Sequence, residues 1–203
     1  FHGVGHAFMV LTKNNLNESL KLCNASIPQR SLLDPKACYF GAFMINSEVN
    51  RSTHPLSPCD TVDEKYKQAC FEDKSGSMFT EDVAKNISFC ETFPVKYKNY
   101  CFSRVAKQHS TTTRDINLLK EDCNMLNVMY QSSCIEDVAR DLTERFPNDY
   151  KFLTSYCSLQ DNKYKNYCFA KIYQHTDWLH LKDNLNVACS YIKDDRKYAE
   201  WCN

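Results

Sequence analysis

Glycine and proline are both scarce, with four and six residues respectively in a chain of 203. A sequence so poor in the residues that punctuate loops is unsuited to many short strands and suits helices joined by short polar turns. Net charge is missing as well. The 25 basic side chains balance 25 acidic ones, which removes any general attraction to nucleic acid or to an anionic membrane surface. No run approaches the roughly 18 apolar residues of a membrane span, and no charged-then-apolar leader opens the sequence, so the chain reads as a soluble, processed or excerpted segment. There is no Gly-rich phosphate loop and no Ser, His, Asp arrangement, and an enzyme is therefore not expected. Cysteine pairs two to four residues apart, the usual zinc spacing, are absent too.

Cysteine itself is abundant. The twelve residues, Cys23, Cys38, Cys59, Cys70, Cys90, Cys101, Cys123, Cys134, Cys157, Cys168, Cys189 and Cys202, are an even number without metal-type spacing, which points to disulfides and to a secreted, extracellular or cell-surface protein. Taken as consecutive pairs, four are 11 apart, the first 15 and the last 13, and first members recur every 31–36 residues. That is the period of helix-turn-helix repeats that stack into solenoids. The longest exact repeat is Lys96, Tyr97, Lys98, Asn99, Tyr100, Cys101, Phe102, which returns unchanged from Lys163 to Phe169.

Each unit reads as two helices. Apolar residues at helical spacing run into the first cysteine, as in Leu16, Leu20, Cys23 and in Ile116, Leu119, Cys123. A tyrosine stands four residues before the second cysteine in five of six units (Tyr66, Tyr97, Tyr130, Tyr164, Tyr198), with Asp34 the exception, and a bulky residue follows that cysteine at Tyr39, Phe71, Phe102, Ile135 and Phe169. Tyrosine, cysteine and bulky residue share one helix face, which is expected to pack on the partner helix and the next repeat. Two cysteines facing each other across an antiparallel hairpin meet the Cα separation a disulfide needs. The expected bonds are Cys23–Cys38, Cys59–Cys70, Cys90–Cys101, Cys123–Cys134, Cys157–Cys168 and Cys189–Cys202. Each closed loop stabilises the fold by about 3 kcal/mol in the chain-entropy model. The predicted fold is all-α: a right-handed α-solenoid of about six helix-turn-helix repeats, one elongated domain over 1–203 or a segment of a longer repeat protein. The pattern breaks in a proline-containing loop near 49–58, where a first helix is shortened or replaced. Thr111, Thr112 and Thr113 read as a turn, with threonine capping a helix from about Asp115.

On period and hairpin cysteines such as Cys90 with Cys101, the chain resembles the tetratricopeptide and Sel1-like class of helical repeat, particularly secreted cysteine-rich Sel1-like proteins with one disulfide per hairpin. The resemblance spans nearly the whole chain. It implies the fold class and a scaffolding or binding role, and no binding residue carries over from it.

Four sequons, at Asn17, Asn24, Asn50 and Asn86, are expected to carry N-linked glycans. His2 and His6, four apart in His2, Gly3, Val4, Gly5, His6, suit a metal or haem on one helix face, against the alternative that these residues serve helix packing. Gly3 aligns with Gly41 if a cysteine preceded Phe1, and glycine there is expected to let neighbouring helices approach closely. His54, His109, His175 and His180 form no ligand set. The word Lys, Tyr, Lys, Asn, Tyr alternates base and aromatic as sugar or single-strand binders do, against the reading of a solvated helix face with tyrosines turned inward. The ends of the solenoid would expose Phe1, Val4 and Phe8 at one side and Tyr198 and Trp201 at the other, a head-to-tail contact that builds a fibre or array. The expected function is thus a non-catalytic extracellular glycoprotein scaffold. Its partner is itself or another extracellular protein, with carbohydrate also a candidate and no cofactor beyond glycans.

Overall fold

The computed structural model describes residues 1–26, 35–50, 54–77, 79–178, 182–193, 197–198 and 200. Among these there are twelve helices and no strand. In chain order they are α1 (His2–Leu11), α2 (Leu16–Ser26), α3 (Lys36–Val49), α4 (Glu64–Ser77), α5 (Val83–Glu91), α6 (Val95–Phe102), α7 (Lys107–Thr112), α8 (Ile116–Asn124), α9 (Val128–Arg145), α10 (Tyr150–Leu159), α11 (Asn162–Trp178) and α12 (Lys182–Ile192). They gather into two compact units. One comprises Phe1–Met78 with Thr92–Cys101, the other Phe79–Glu91 with Phe102–Asn203.

In the first unit α3 is the central helix, packed on α1, α2 and α4. Cys23–Cys38 joins α2 to α3 with a Cα separation of 5.8 Å, and Cys59–Cys70 ties the turn before α4 to that helix at 5.4 Å. No first helix precedes Cys59 among the described residues: 54–62 is a succession of turns held by bonds such as Cys59 N–H to Leu56 O, with a cis Ser57–Pro58 peptide. Two prolines in four residues remove donors and fix backbone angles where the helix would run. Where α1 crosses α3, a Cβ on Gly5 would lie 2.0 Å from Cys38 O, and one on Gly41 would lie 2.1 Å from His2 O. Gly3, the glycine expected at this approach, has nothing within 4 Å. The close contact is therefore made by Gly5 with Gly41, two residues on from the predicted position.

In the second unit α8 and α9, then α10 and α11, form hairpins bridged by Cys123–Cys134 and Cys157–Cys168, with Cα separations of 5.6 and 5.5 Å. Helix α9 packs on α7, α8, α10 and α11, and α11 on α12. Asp115, Asn127 and Asp149 cap α8, α9 and α10 through their side-chain oxygens, satisfying amides that a helix start leaves unpaired. The expected threonine cap is thus supplied by Asp115, and Thr111 and Thr112 are the last turn of α7. Cys90, Cys101 and Cys189 are also disulfide-bonded, whereas Asp34 and Cys202 lie outside the described residues.

One contact recurs along the chain. Tyr66 meets Tyr39 edge to face at 4.9 Å, Tyr97 stacks on Phe71 at 4.6 Å, and Tyr130 stacks on Phe102 at 4.2 Å. Each pair joins the tyrosine four residues before a second cysteine to the bulky residue after the second cysteine of the preceding hairpin. Such pairs add about 0.5–1.5 kcal/mol beyond the area they bury. At Phe169 the stacking partner is instead Tyr191 of α12, at 4.1 Å.

Candidate functional site

The histidines of α1 do approach one another. Their ring centroids are 4.6 Å apart, edge to face, and His2 also lies against Phe40. Burial and the neighbouring His6 hold the His2 pKa below its ordinary value, and the buried Nε2 of His6 makes no hydrogen bond among the described residues. No group of three or more His, Cys, Asp or Glu side chains among the described residues is placed to hold a metal ion. The described residues thus bring two imidazoles to the α1–α3 crossing.

The sequons differ in accessibility. Asn17 and Asn50 are exposed. Asn24 is clamped: Tyr39 donates to its Oδ1, and its Nδ2 donates to the Tyr66 hydroxyl. Asn86 is only 2% exposed, with its Oδ1 accepting from Thr80 N–H and its Nδ2 donating to Thr80 O. The Asn86 amide, where a glycan is expected from the sequence, is thus enclosed in the fold, whereas those of Asn17 and Asn50 are open. Of the predicted assembly residues Phe1 is exposed, Val4 and Phe8 are half-buried, and Trp201 lies outside the described residues. Tyr198 is buried, which corrects its assignment to an exposed end.

Charged chemistry concentrates on α9 and α11. Glu136 accepts from the Tyr167 hydroxyl and from Lys171 Nζ at 2.8 Å. Burial opposes its ionisation, but the hydrogen bonds from Lys171 and Tyr167 outweigh that and hold the carboxyl below its usual range. His175, one turn beyond Lys171, is depressed to about 4 by burial and then by the Arg140 charge. Glu136, Glu144, Lys171, Gln174 and His175 line one cavity here.

Beside it a second cleft, of about 350 Å³, opens at the start of α11. Its walls are Ser132 of α9, then Asn162, Lys163, Tyr164, Asn166 and Tyr167 of α11, together with Lys197 and Tyr198. Lys163 Nζ sits 4.5 Å over the Tyr164 ring, and Lys197 Nζ lies 5.1 Å over Tyr198. The Tyr164 hydroxyl reaches Gln131 Oε1 at 3.1 Å and Val128 O at 3.3 Å, fixing the ring against α9. No carboxylate is among the described residues that line the cleft. Its volume is at the lower end of the range for small-ligand sites, about 300–1,000 Å³.

The cleft is built on the second copy of the repeated seven-residue word, and the first copy is wired differently. Lys96 pairs with Glu64 Oε1 at 2.7 Å, and the Tyr97 hydroxyl donates to the same oxygen at 2.9 Å. Those contacts hold the Glu64 pKa down to about 2, the Lys96 bond being the larger cause. Glu64 stands six residues before Cys70, and six before Cys134 the sequence has Val128. Sequence reasoning singled out the word itself but not Ser132 or Lys197, which only the fold brings to it. The exchange of Glu64 for Val128 at matched repeat positions is the signal that distinguishes the copies. No family model, curated protein or solved structure matches the chain.

Proposed function

We propose that the protein is a non-catalytic extracellular scaffold, a right-handed α-solenoid of about six disulfide-stapled helix-turn-helix repeats that carries N-linked glycans and presents a binding cleft to a partner molecule. The observation that carries this function is the recurring tyrosine-on-aromatic contact, in register with the hairpin disulfides, because repeat architectures are built from such nearest-neighbour interfaces. Buried disulfides suit an oxidising compartment. Binding of a partner is favoured over self-assembly by the preformed cleft.

The test is secretion from a eukaryotic cell followed by intact-mass and peptide analysis after enzymatic deglycosylation. Conversion of asparagine to aspartate is expected at Asn17 and Asn50 and not at Asn86. A protein recovered from the medium with no glycan at any sequon, or one retained in the cytosol with free thiols, would overturn the extracellular glycoprotein function.

A further inference from the structure

We infer that the cleft at Lys163 is a binding site for an acidic saccharide, a sugar carrying sulfate or carboxylate groups. This rests on the scaffold function proposed above and names the chemistry of its partner. Three observations converge. First, among the described residues the cleft wall combines the Lys163 ammonium, beside that of Lys197, with the amides of Asn162 and Asn166 and the hydroxyl of Ser132, and no carboxylate is among them. An ammonium group takes the acid, and amides and hydroxyl take sugar hydroxyls. Second, Tyr164 is fixed by its hydrogen bonds to Gln131 and Val128, so the Lys163 ammonium, 4.5 Å over that ring, is positioned at a rigid helix start. Third, the molecule holds its own comparison. The identical word at Lys96 to Phe102 is neutralised by Glu64, which accepts from both Lys96 and Tyr97. The second copy has Val128 at the matched position, so Lys163 faces the cleft without that carboxylate.

An acidic peptide would satisfy the two lysines but would leave the neutral amides and hydroxyl with less to do, which is why the saccharide is favoured. Exposed ion pairs are screened by salt, so binding should weaken as ionic strength rises.

The experiment is calorimetric titration of the full disulfide-bonded chain with a heparin-derived tetrasaccharide, neutral maltotetraose and tetraglutamate. The first is expected to bind and the other two to bind at least tenfold more weakly. Lys163→Gln and Val128→Glu should each weaken tetrasaccharide binding at least tenfold, while Lys96→Gln leaves it unchanged. Val128 is 60% exposed at the first residue of α9, where an acidic side chain also suits the helix dipole, so Val128→Glu should fold normally, as circular dichroism checks. The inference is overturned by a wild-type chain that does not bind the tetrasaccharide, by binding that survives both substitutions, or by an equal loss with Lys96→Gln. Tetraglutamate binding as tightly as the sugar would assign the cleft to acidic peptides instead, and equal binding of maltotetraose would remove the charge requirement. A secreted glycoprotein that fails these titrations leaves the scaffold function standing.

Discussion

His175 is the residue expected to make the second unit sensitive to pH. Burial, then the Arg140 charge, depress its pKa from an ordinary 6.5 to about 4, with Glu136 on α9 acting in the opposite direction and Lys171 on its own helix acting with Arg140. A histidine whose folded pKa lies below its unfolded value binds fewer protons in the native state. It contributes stability that is present above about 6.5 and is lost as pH falls through about 4. Denaturant titrations of wild type and His175→Gln should therefore diverge between pH 7 and 4, with the wild type losing more stability on acidification. Parallel curves over that window would show that His175 is not the group responsible. At the same scale the sequons teach a limit of sequence. Asn86 satisfies the glycosylation pattern as well as Asn17 does, but it folds back on Thr80, and only the packed structure separates the two.

At the level of helices, the crossing of α1 and α3 depends on two hydrogen atoms in place of side chains. Both Gly5 and Gly41 face backbone atoms of the opposite helix, which cannot rotate away. Gly5→Ala should cost on the order of 2–3 kcal/mol or more through overpacking. Gly3→Ala, with open space around it, should be neutral or should stabilise by up to about 1 kcal/mol through helix propensity. Thermal denaturation of the two variants side by side checks this, and equal melting temperatures would rule out the close crossing. That a glycine serves this approach was legible from the likeness of Phe1, His2, Gly3 to Tyr39, Phe40, Gly41. Which glycine does so depends on the rotation of α1 against α3, which local spacing does not encode. Helix placement was legible for a related reason: a cysteine near the end of one helix and another on the next fix both the turn and the buried face. Thr111 and Thr112 misled because threonine hydroxyls read as turn and cap formers in isolation, while α7 is held by packing, with Ser110 buried and donating to Asp141 at 2.9 Å. The cleft was half legible, since the word Lys, Tyr, Lys, Asn, Tyr is visible in the sequence but the difference between Glu64 and Val128 acts through a neighbouring hairpin.

For the molecule as a whole, the distribution of buried cysteine implies a graded resistance to reduction. Cys23, Cys38, Cys59, Cys70, Cys90, Cys101, Cys123, Cys134, Cys157 and Cys168 are all at most 1% exposed, while Cys189 is half-buried. Thiol–disulfide exchange requires the attacking group to reach a sulfur. In the enclosed hairpins that access comes only when the helices separate, so reduction there should follow unfolding and not reductant concentration. Cross-links of this size also restrict the unfolded chain, each by about 3 kcal/mol in the entropy model, so losing one should hasten loss of its neighbours. The expected course under a mild phosphine reductant without denaturant is early alkylation of Cys189, followed much later by the ten enclosed cysteines in step with loss of helical circular dichroism. Mass spectrometry of alkylated peptides over time makes the comparison. Labelling of Cys23 or Cys157 as fast as Cys189 in the still-helical protein would mean that the hairpins open individually and that their disulfides are not protected by repeat packing.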